Sequence, residues 1–314
     1  MSANHDSHAT SGRLNRSAAY ASISVALLLV GTKLWAVWRT DSTAMLGSLA
    51  DTALDLVASV ATLAGVWIAA QPADEEHRFG HGKAEAISAM FQVVLIALSA
   101  FGLAYRAIDQ WIAGTRVAAA DEGIAVSMLA LVATLCLLAW QRRVIARTGS
   151  IAISTDHLHY QSDLALNLAV IAALVLDRYL DIAGADPVFG LAIALWLGWG
   201  AWRAAGAAID HLMDREWPEE KRAEFLAVLA RHPELRGVHD LRTRTSGAHD
   251  FAQFHAAVDG SMTVAEAHRV MDEIEARIEA EFPGVEVLIH PDPEDLERDE
   301  GDELLPHRFA ADED

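Results

Sequence analysis

Six long apolar stretches, separated by short polar gaps, fill the sequence up to about Met213 and constrain what the chain can fold into. Hydrophobic residues make up 53% of the whole chain. A helix needs about 20 apolar residues to cross a bilayer, and six segments are long enough. They lie near residues 17–38, 43–70, 84–113, 122–146, 152–181 and 187–211. We therefore predict a polytopic α-helical membrane protein with six transmembrane helices.

Basic residues in the short loops predict how these helices are oriented, because cytoplasmic loops are enriched in lysine and arginine. The side of the two termini carries Arg13, Arg16, Arg78, Lys83, Arg142, Arg143, Arg147 and Arg215, and the opposite side carries Arg39, Arg106, Arg116 and Arg178. The excess lies on the side of the termini. We therefore expect both termini in the cytoplasm.

Beyond Met213 the sequence becomes that of a small domain with charges every few residues. Its apolar spacing predicts the order αββαβ, an α+β fold with helices on one face of a small sheet. The predicted elements are a helix over Pro218–Arg231, strands over Val238–Ser246 and Phe251–Asp259, a helix over Thr263–Phe282 and a strand over Val285–His290. The predicted domains are a disordered arm over 1–16, a transmembrane domain over 17–213, a metal-binding dimerisation domain over 214–293 and an acidic disordered tail over 294–314.

The charge and the cysteine content exclude several classes of function. The net charge of −20 lies mainly beyond Asp214 and argues against nucleic-acid binding, which needs a basic patch. An acidic domain is compatible with cation binding, although solubility alone also explains acidic surfaces. Cys136 is the single cysteine, so neither a disulfide framework nor a thiolate zinc cluster is expected.

Two pairs of ionisable residues lie inside the apolar segments, where such groups are costly and usually functional. Asp51 and Asp55 form one pair, and His159 and Asp163 form the other. The spacing of four residues places each pair on one helix face. His157 is offset by two residues from His159, on another face, so we select His159. The pairs predict four metal ligands on facing helices. The alternatives are a polar helix–helix contact satisfied by serine or threonine neighbours, or a loop end misassigned as a span.

Three carboxylates and one imidazole indicate which ion such a site would hold. They suit Zn²⁺, and also Cd²⁺, Fe²⁺, Co²⁺ or Mn²⁺. The histidine and the small number of oxygen ligands disfavour Mg²⁺ and Ca²⁺. The same groups bind protons, so metal and protons compete for them. This competition predicts that metal export is coupled to proton import if the site opens to one side at a time.

Two further clusters lie outside the apolar segments. Asp74, His77 and His81 follow one another in the loop between the second and third segments. Their spacing of three and four residues fits a metal site and an ordinary polar loop equally well.

The third cluster lies in the C-terminal domain and comprises His239, His255, His268, His290 and Asp292. A lone histidine in such a domain is usually structural. Four histidines and an acid within one small domain favour a metal site over separate structural roles.

Four motifs together resemble the cation diffusion facilitator family, and closely its bacterial zinc/iron efflux branch, which contains ferrous-iron efflux pumps. The resemblance runs from about Arg16 to Asp292 and is carried by Ser48–Asp55, His77–Glu85, Leu158–Asp163 and His239–Arg244. The chain departs from the pattern at Pro291, where the branch often has a polar residue, and in its acidic tail.

The resemblance implies a Y-shaped homodimer in the bacterial inner membrane, with a metallochaperone-like (ferredoxin-like) cytoplasmic domain. It implies divalent-cation/proton antiport by alternating access, with no enzyme activity and no cofactor beyond transported and structural Zn²⁺. It makes the intramembrane quartet the transport site, the loop trio a second site, and the C-terminal cluster a binuclear site with Asp292 as bridge. It also implies that Lys83 pairs with Asp214 to lock the dimer.

Two other functions compete with transport. An intramembrane metalloenzyme would need an open coordination position, whereas four protein ligands leave none. A membrane-anchored metal sensor would use the C-terminal cluster, and its helices would have no need of Asp51 and Asp163.

Overall fold

The computed structural model describes residues 2–294 except 41–42, 114–123, 181–184, 233–234, 248 and 283. Some side chains within these ranges, that of Asp51 among them, are also outside the description. The chain forms two compact units, Ser11–Leu212 and Met213–Asp314, and the second also includes Met1–Thr10. The predicted acidic tail lies outside the described residues from residue 295 onward.

Six long helices correspond to the six predicted spans. They are α1 (Ser2–Thr40), α2 (Thr43–Ala69), α3 (Ala84–Ala113), α4 (Ile124–Thr148), α5 (Ile151–Leu180) and α6 (Ala185–Leu212). By length and composition alone, four helical segments in the described part of the chain could cross a membrane: Thr10–Arg39, Thr52–Ala69, Ala84–Ala113 and Pro187–Leu212. Helix α5 is more polar than these because it carries several aspartates and histidines.

Helix α1 begins at Ser2, well before the predicted start at Ser17. The polar composition of residues 1–16 predicts a disordered arm. The structure differs because no proline interrupts residues 2–16, and because Asn15 is already buried in the helix bundle. Its side-chain amide donates a 3.0 Å hydrogen bond to Oε1 of Glu85 on α3.

A two-residue turn separates α4 from α5. Gly149 has a φ of 64°, a left-handed conformation in which glycine commonly ends a helix. Its amide still donates to the carbonyl of Ile145, 2.8 Å away. The hydroxyl of Ser150 then accepts from the amide of Ile153 at 3.3 Å and caps the start of α5. The turn therefore fixes where α5 begins.

Close packing of small residues holds the helices of this unit together. Helices α3 and α6 share an apolar core of Val93, Ile96, Ala100, Leu197 and Ala201. A second core joins α1, α2, α4 and α5 through Ala18, Ala19, Val66, Val144, Ala152 and Ile153. Alanines at these contacts let backbones approach closely, as is usual between membrane helices.

The C-terminal domain has the predicted αββαβ order. Its elements are α7 (Glu219–Leu229), β1 (Arg236–Ser246), β2 (His249–Val258), α8 (Val264–Glu281) and β3 (Val285–Pro293). The sheet order is β1-β2-β3, with β1 antiparallel and β3 parallel to β2. Strand β3 continues to Pro293, beyond the predicted end at His290, because an edge strand tolerates proline.

Helix α8 starts from a capping box. The hydroxyl of Thr263 accepts from the amide of Glu266 at 3.3 Å, and a Glu266 carboxylate oxygen accepts from the amide of Thr263 at 2.8 Å. The buried side of α8 packs Met271, Ile274 and Ile278 into the core of the domain. The cap fixes the register of α8, which brings this apolar side onto the sheet.

Candidate metal centres

Three side chains of the helix bundle converge between α2 and α5. Asp55 lies on α2, and His159 and Asp163 lie one helical turn apart on α5. Nε2 of His159 is 2.9 Å from Oδ1 of Asp55 and 3.9 Å from Oδ2 of Asp163. One ligand atom from each residue lies within 4.8 Å of the others. An imidazole and two carboxylates so placed form a donor set that suits Zn²⁺ and related divalent ions.

Asp51, the remaining predicted ligand, precedes Asp55 by four residues on α2. Its side chain lies outside those that the structure describes. Residues four apart on an α-helix project from the same face. Asp51 therefore stays a predicted ligand on the basis of its position in the helix.

The two histidines of this part of α5 have different neighbours. His159 is buried and meets Asp55. Nδ1 of His157 is 3.2 Å from Oε1 of Gln141 on α4 instead. The structure thus brings His159 to the predicted cluster and leaves His157 beside α4.

Sequence reasoning missed Asp156, which lies at the centre of a hydrogen-bond network in the bundle. Its Oδ2 accepts from Ser22 Oγ at 2.6 Å and from Gln141 Nε2 at 2.7 Å. Its Oδ1 accepts from Gln92 Nε2 at 3.3 Å and from Thr62 Oγ1 at 3.4 Å. All five side chains are 0% exposed. A second aspartate in an apolar span was the available signal, but nothing local to α5 reveals its partners.

Lys33 was also left out of the predicted site. It lies on α1, and its ammonium donates a 2.5 Å hydrogen bond to Oγ1 of the buried Thr52, which directly follows Asp51 on α2. A lysine inside an apolar span is itself a functional signal. Its position places a positive charge beside the helix that carries the acidic pair.

The loop between α2 and α3 brings its three predicted residues together. Oδ1 of Asp74 is 3.2 Å from Nδ1 of His77, and Oδ2 is 3.3 Å from Nε2 of His81. The backbone amide of His77 donates to the Asp74 carboxylate at 2.6 Å. This hydrogen bond, above all, holds the pKa of Asp74 below its ordinary value. The carboxylate is therefore ionised at neutral pH and faces both imidazoles.

Strand register assembles the third cluster. His239 on β1 pairs with His255 on β2, which in turn pairs with His290 on β3. Asp292 follows His290 by two residues and so lies on the same face of the sheet. Its Oδ2 is 3.3 Å from Nε2 of His239 and 2.9 Å from Nδ1 of His255, and its Oδ1 is 3.4 Å from Nε2 of His290. Pro291 occupies the intervening position, which points to the other face.

His268 lies apart from that cluster, on the exposed side of α8. Its Nδ1 is 3.5 Å from Oδ1 of Asp272, one turn further along the helix. Among the described residues, the C-terminal group with mutually close ligand atoms comprises His239, His255 and Asp292.

Lys83 and Asp214, the predicted dimer-locking pair, each have other contacts in the chain. The ammonium of Lys83 donates to the carbonyl of Leu212 at 3.2 Å. Asp214 has a φ of 56°, and its Oδ1 is 3.7 Å from Nη1 of Arg244. Their pairing stays a prediction.

Comparisons with known proteins identify similarity over nearly the whole chain. Residues 19–213 match the family model described as "Cation efflux transmembrane domain", and residues 217–294 match "Cation efflux protein, cytoplasmic domain". The cation-efflux pump FieF of Cronobacter sakazakii is 41% identical over 290 residues, covering 92% of this chain and 95% of that protein. FieF of Escherichia coli O127:H6 is 40% identical over 282 residues, covering 90% of this chain and 94% of that protein.

Solved structures also match part of the chain. The metal-bound C-terminal domain of the CzcD transporter from Thermotoga maritima is 28% identical, with a TM-score of 0.23. The match covers 24% of this chain and 94% of that one.

Proposed function

This chain belongs to the cation diffusion facilitator family of membrane-spanning cation efflux pumps, and we propose that it exports Zn²⁺ from the cytoplasm in exchange for protons. The observation that carries this proposal is the meeting of His159 with Asp55 and Asp163 inside the helix bundle. Buried ionisable groups in a membrane domain mark ion pathways. We assign Asp51 to the same transport site from its helix position.

The ligand set supports the choice of metal. An imidazole nitrogen favours borderline ions over the hard ions Mg²⁺ and Ca²⁺. We therefore propose Zn²⁺ as the preferred substrate and Cd²⁺ and Fe²⁺ as further substrates. The affinities of these ions for the site differ through ligand softness and geometry. With one imidazole among carboxylates, those affinities should lie close together.

Proton coupling rests on the atoms that would bind the metal. Nε2 of His159 and Oδ1 of Asp55 are 2.9 Å apart, a hydrogen-bond distance at which the two groups can share a proton when no metal is bound. Metal binding requires a free nitrogen lone pair and an ionised carboxylate, so that proton must leave. Metal arrival from the cytoplasm thus releases protons, and proton arrival from the other side releases the metal.

The other clusters have supporting roles in this proposal. We assign Asp74, His77 and His81 to a loop site, and we assign the C-terminal cluster, with His268, to a site whose bound Zn²⁺ steadies a homodimer. Family membership of the cytoplasmic domain supports dimerisation. Lys83 and Asp214 would lock the protomers near the membrane surface. In this proposal the protein lies in the bacterial inner membrane, and both of its termini are in the cytoplasm.

A flux assay with reconstituted protein tests the function. Vesicles that contain a zinc-sensitive dye should show Zn²⁺ uptake that accelerates when a proton gradient is imposed in the opposite direction. Asp55→Ala should abolish the uptake, because it removes a ligand. Asp109→Ala removes an exposed carboxylate of α3 and serves as the matched control, with flux like that of the original chain.

Three results would contradict the proposal. Flux that is independent of the proton gradient would exclude antiport. Flux that survives Asp55→Ala would exclude this transport site, and a complete lack of flux with intact binding at the C-terminal cluster would favour the metal sensor.

A further inference from the structure

Five transmembrane helices meet at a single carboxylate. Asp156 on α5 accepts hydrogen bonds from Ser22 on α1, Thr62 on α2, Gln92 on α3 and Gln141 on α4. An ionised carboxylate has about four lone-pair positions, and here it faces four donors. Both oxygens of the group are therefore approached by neutral side chains, each from a different helix.

The network also links its outer members to one another. Gln92 donates to Thr62 as well as to Asp156. Gln141 donates to Ser22 at 3.0 Å and accepts from the His157 ring at 3.2 Å. Buried networks of this kind favour one packing arrangement, because each partner permits few alternatives. Within the described residues, Oε1 of Gln92 is the network atom that lacks a hydrogen-bond partner. Rotation or sliding of α5 would break several of these bonds at once.

The hydrogen-bond network around Asp156 lies close to the cluster of Asp55, His159 and Asp163 between α2 and α5. Asp156 precedes His159 by three residues, so the two side chains leave α5 on neighbouring parts of one face. Metal–ligand distances lie within about 0.2 Å of their standard values. The angle of α5 about its own axis therefore decides whether His159 can share an ion with Asp55.

We propose that Asp156 is a positioning residue for the transport site: its carboxylate clamps α5 to the four preceding helices and so holds His159 against Asp55 without binding the metal. This inference rests on the proposed function of that site. A direct ligand role would require the metal to displace the four donors that already occupy the carboxylate.

Asp156→Asn is the sharpest test, because it keeps the shape of the side chain and replaces one acceptor oxygen with a donor. The new amide would face donors from Ser22 and Gln141 or from Gln92 and Thr62. We expect the KM for Zn²⁺ flux in proteoliposomes to rise about tenfold, with turnover at saturating Zn²⁺ largely kept.

A second substitution in the same protein should restore the network. In Asp156→Asn combined with Gln141→Glu, the carboxylate moves from α5 to α4 and accepts from the new amide, from Ser22 and from His157. We expect the KM to return to within about threefold of its original value. If Asp156 affected the KM only through general stability, moving the carboxylate from α5 to α4 would not restore the KM.

Glu85→Gln is the matched control, because Glu85 is another buried carboxylate of the bundle, bonded to Asn15 and to Ser150 at the turn before α5. We expect it to lower the melting temperature while leaving the KM unchanged. If Asp156→Asn does not fold, Ser22→Ala removes one donor alone and should raise the KM about threefold.

The outcomes separate this inference from the proposed function. If Asp55→Ala abolishes flux but neither Asp156→Asn nor Ser22→Ala changes the KM, the positioning role is wrong and the transport site stands. If Asp156→Asn raises the KM and Gln141→Glu fails to lower it, the clamp is also overturned. If Asp55→Ala leaves flux intact, the transport site itself fails.

Discussion

At the scale of single residues, one imidazole among carboxylates sets the character of the proposed transport site. His159 approaches Asp55 more closely than Asp163, at 2.9 Å against 3.9 Å. Carboxylate oxygens alone suit hard ions such as Mn²⁺, whereas the nitrogen favours Zn²⁺. The selectivity of export should therefore depend on this side chain more than on any one of the acids.

We predict that His159→Asp shifts selectivity from Zn²⁺ toward Mn²⁺, by about tenfold in the ratio of the two transport rates. The reason is that a fourth carboxylate replaces the only nitrogen ligand. Competition flux in proteoliposomes measures the ratio. His249→Asp changes an exposed histidine of β2 and should leave the ratio of the two transport rates unchanged. An unchanged ratio in His159→Asp would show that the imidazole is not a ligand.

At the scale of whole helices, α2 and α3 approach each other closely where Gly65 faces Ser88. A side chain at Gly65 would overlap Ser88 on α3, whereas one at Gly102 would meet open space. Small residues at such crossings allow membrane helices to pack tightly. The position of Asp55 on α2 thus depends on a glycine that itself carries no chemistry.

We predict that Gly65→Ala lowers the thermal stability of the detergent-solubilised protein, because α2 and α3 must move apart. Overpacking of this kind typically costs about 1–3 kcal/mol. Gly102→Ala is the matched control and should leave the melting temperature nearly unchanged. Equal melting temperatures for the two variants would argue against a tight α2–α3 contact.

The stability of the capping box at the start of α8 should depend on pH. The pKa of Glu266 is lowered because the backbone amide and the hydroxyl of Thr263 donate to its carboxylate. A lowered pKa in the folded state means that the cap contributes fully above the ordinary glutamate value, and is lost as the pH falls through the folded value.

We therefore predict that amides in the first turn of α8 lose hydrogen-exchange protection on acidification, over a pH range below the ordinary pKa of a glutamate. Exchange of the full-length protein, corrected for the intrinsic rate at each pH, measures it. Glu266→Gln keeps a neutral acceptor, so its protection should not vary with pH over that range. Protection that changes equally in both proteins would assign the effect to another group.

At the scale of the whole molecule, the proposed function has the cytoplasmic domain join metal binding to assembly. Its family model names it as a cation efflux cytoplasmic domain, and the three-histidine row with Asp292 lies across its entire sheet. Metal bound there would neutralise charge in a chain whose net charge is −20. Two such acidic chains repel each other less when each holds cations.

We predict that Asp292→Asn weakens the Zn²⁺-dependent dimer, because Asp292 contacts all three histidines of the row. Sedimentation of the full-length protein with Zn²⁺ and with a chelator should show a dimer fraction that depends on metal only in the original chain. Glu286→Gln changes an exposed acid on the same strand and is the control. A metal-independent dimer in the original chain would contradict this role.

The spacing of residues in one helix could be read from the sequence, but pairing between elements could not. Asp55, His159 and Asp163 were identified because ionisable residues four apart in an apolar segment share a face. The row from His239 to His290 needed the register of three strands, which depends on long-range pairing. The partners of Asp156 come from four other helices, and the sequence around Asp156 contains no information on them.

The hydrogen-bond partners of Asp156 also bear on how the protein is made. All four lie on helices that precede α5, so they leave the ribosome before it. A charged aspartate opposes membrane insertion of an isolated helix, most strongly near the helix centre, and α5 carries both Asp156 and Asp163. If the helices insert in chain order, the donors to Asp156 are already in the bilayer when α5 follows. The order of the helices along the chain thus places the donors to Asp156 in the membrane before α5. In a permuted chain that began with α5, Asp156 would enter the membrane before its donors.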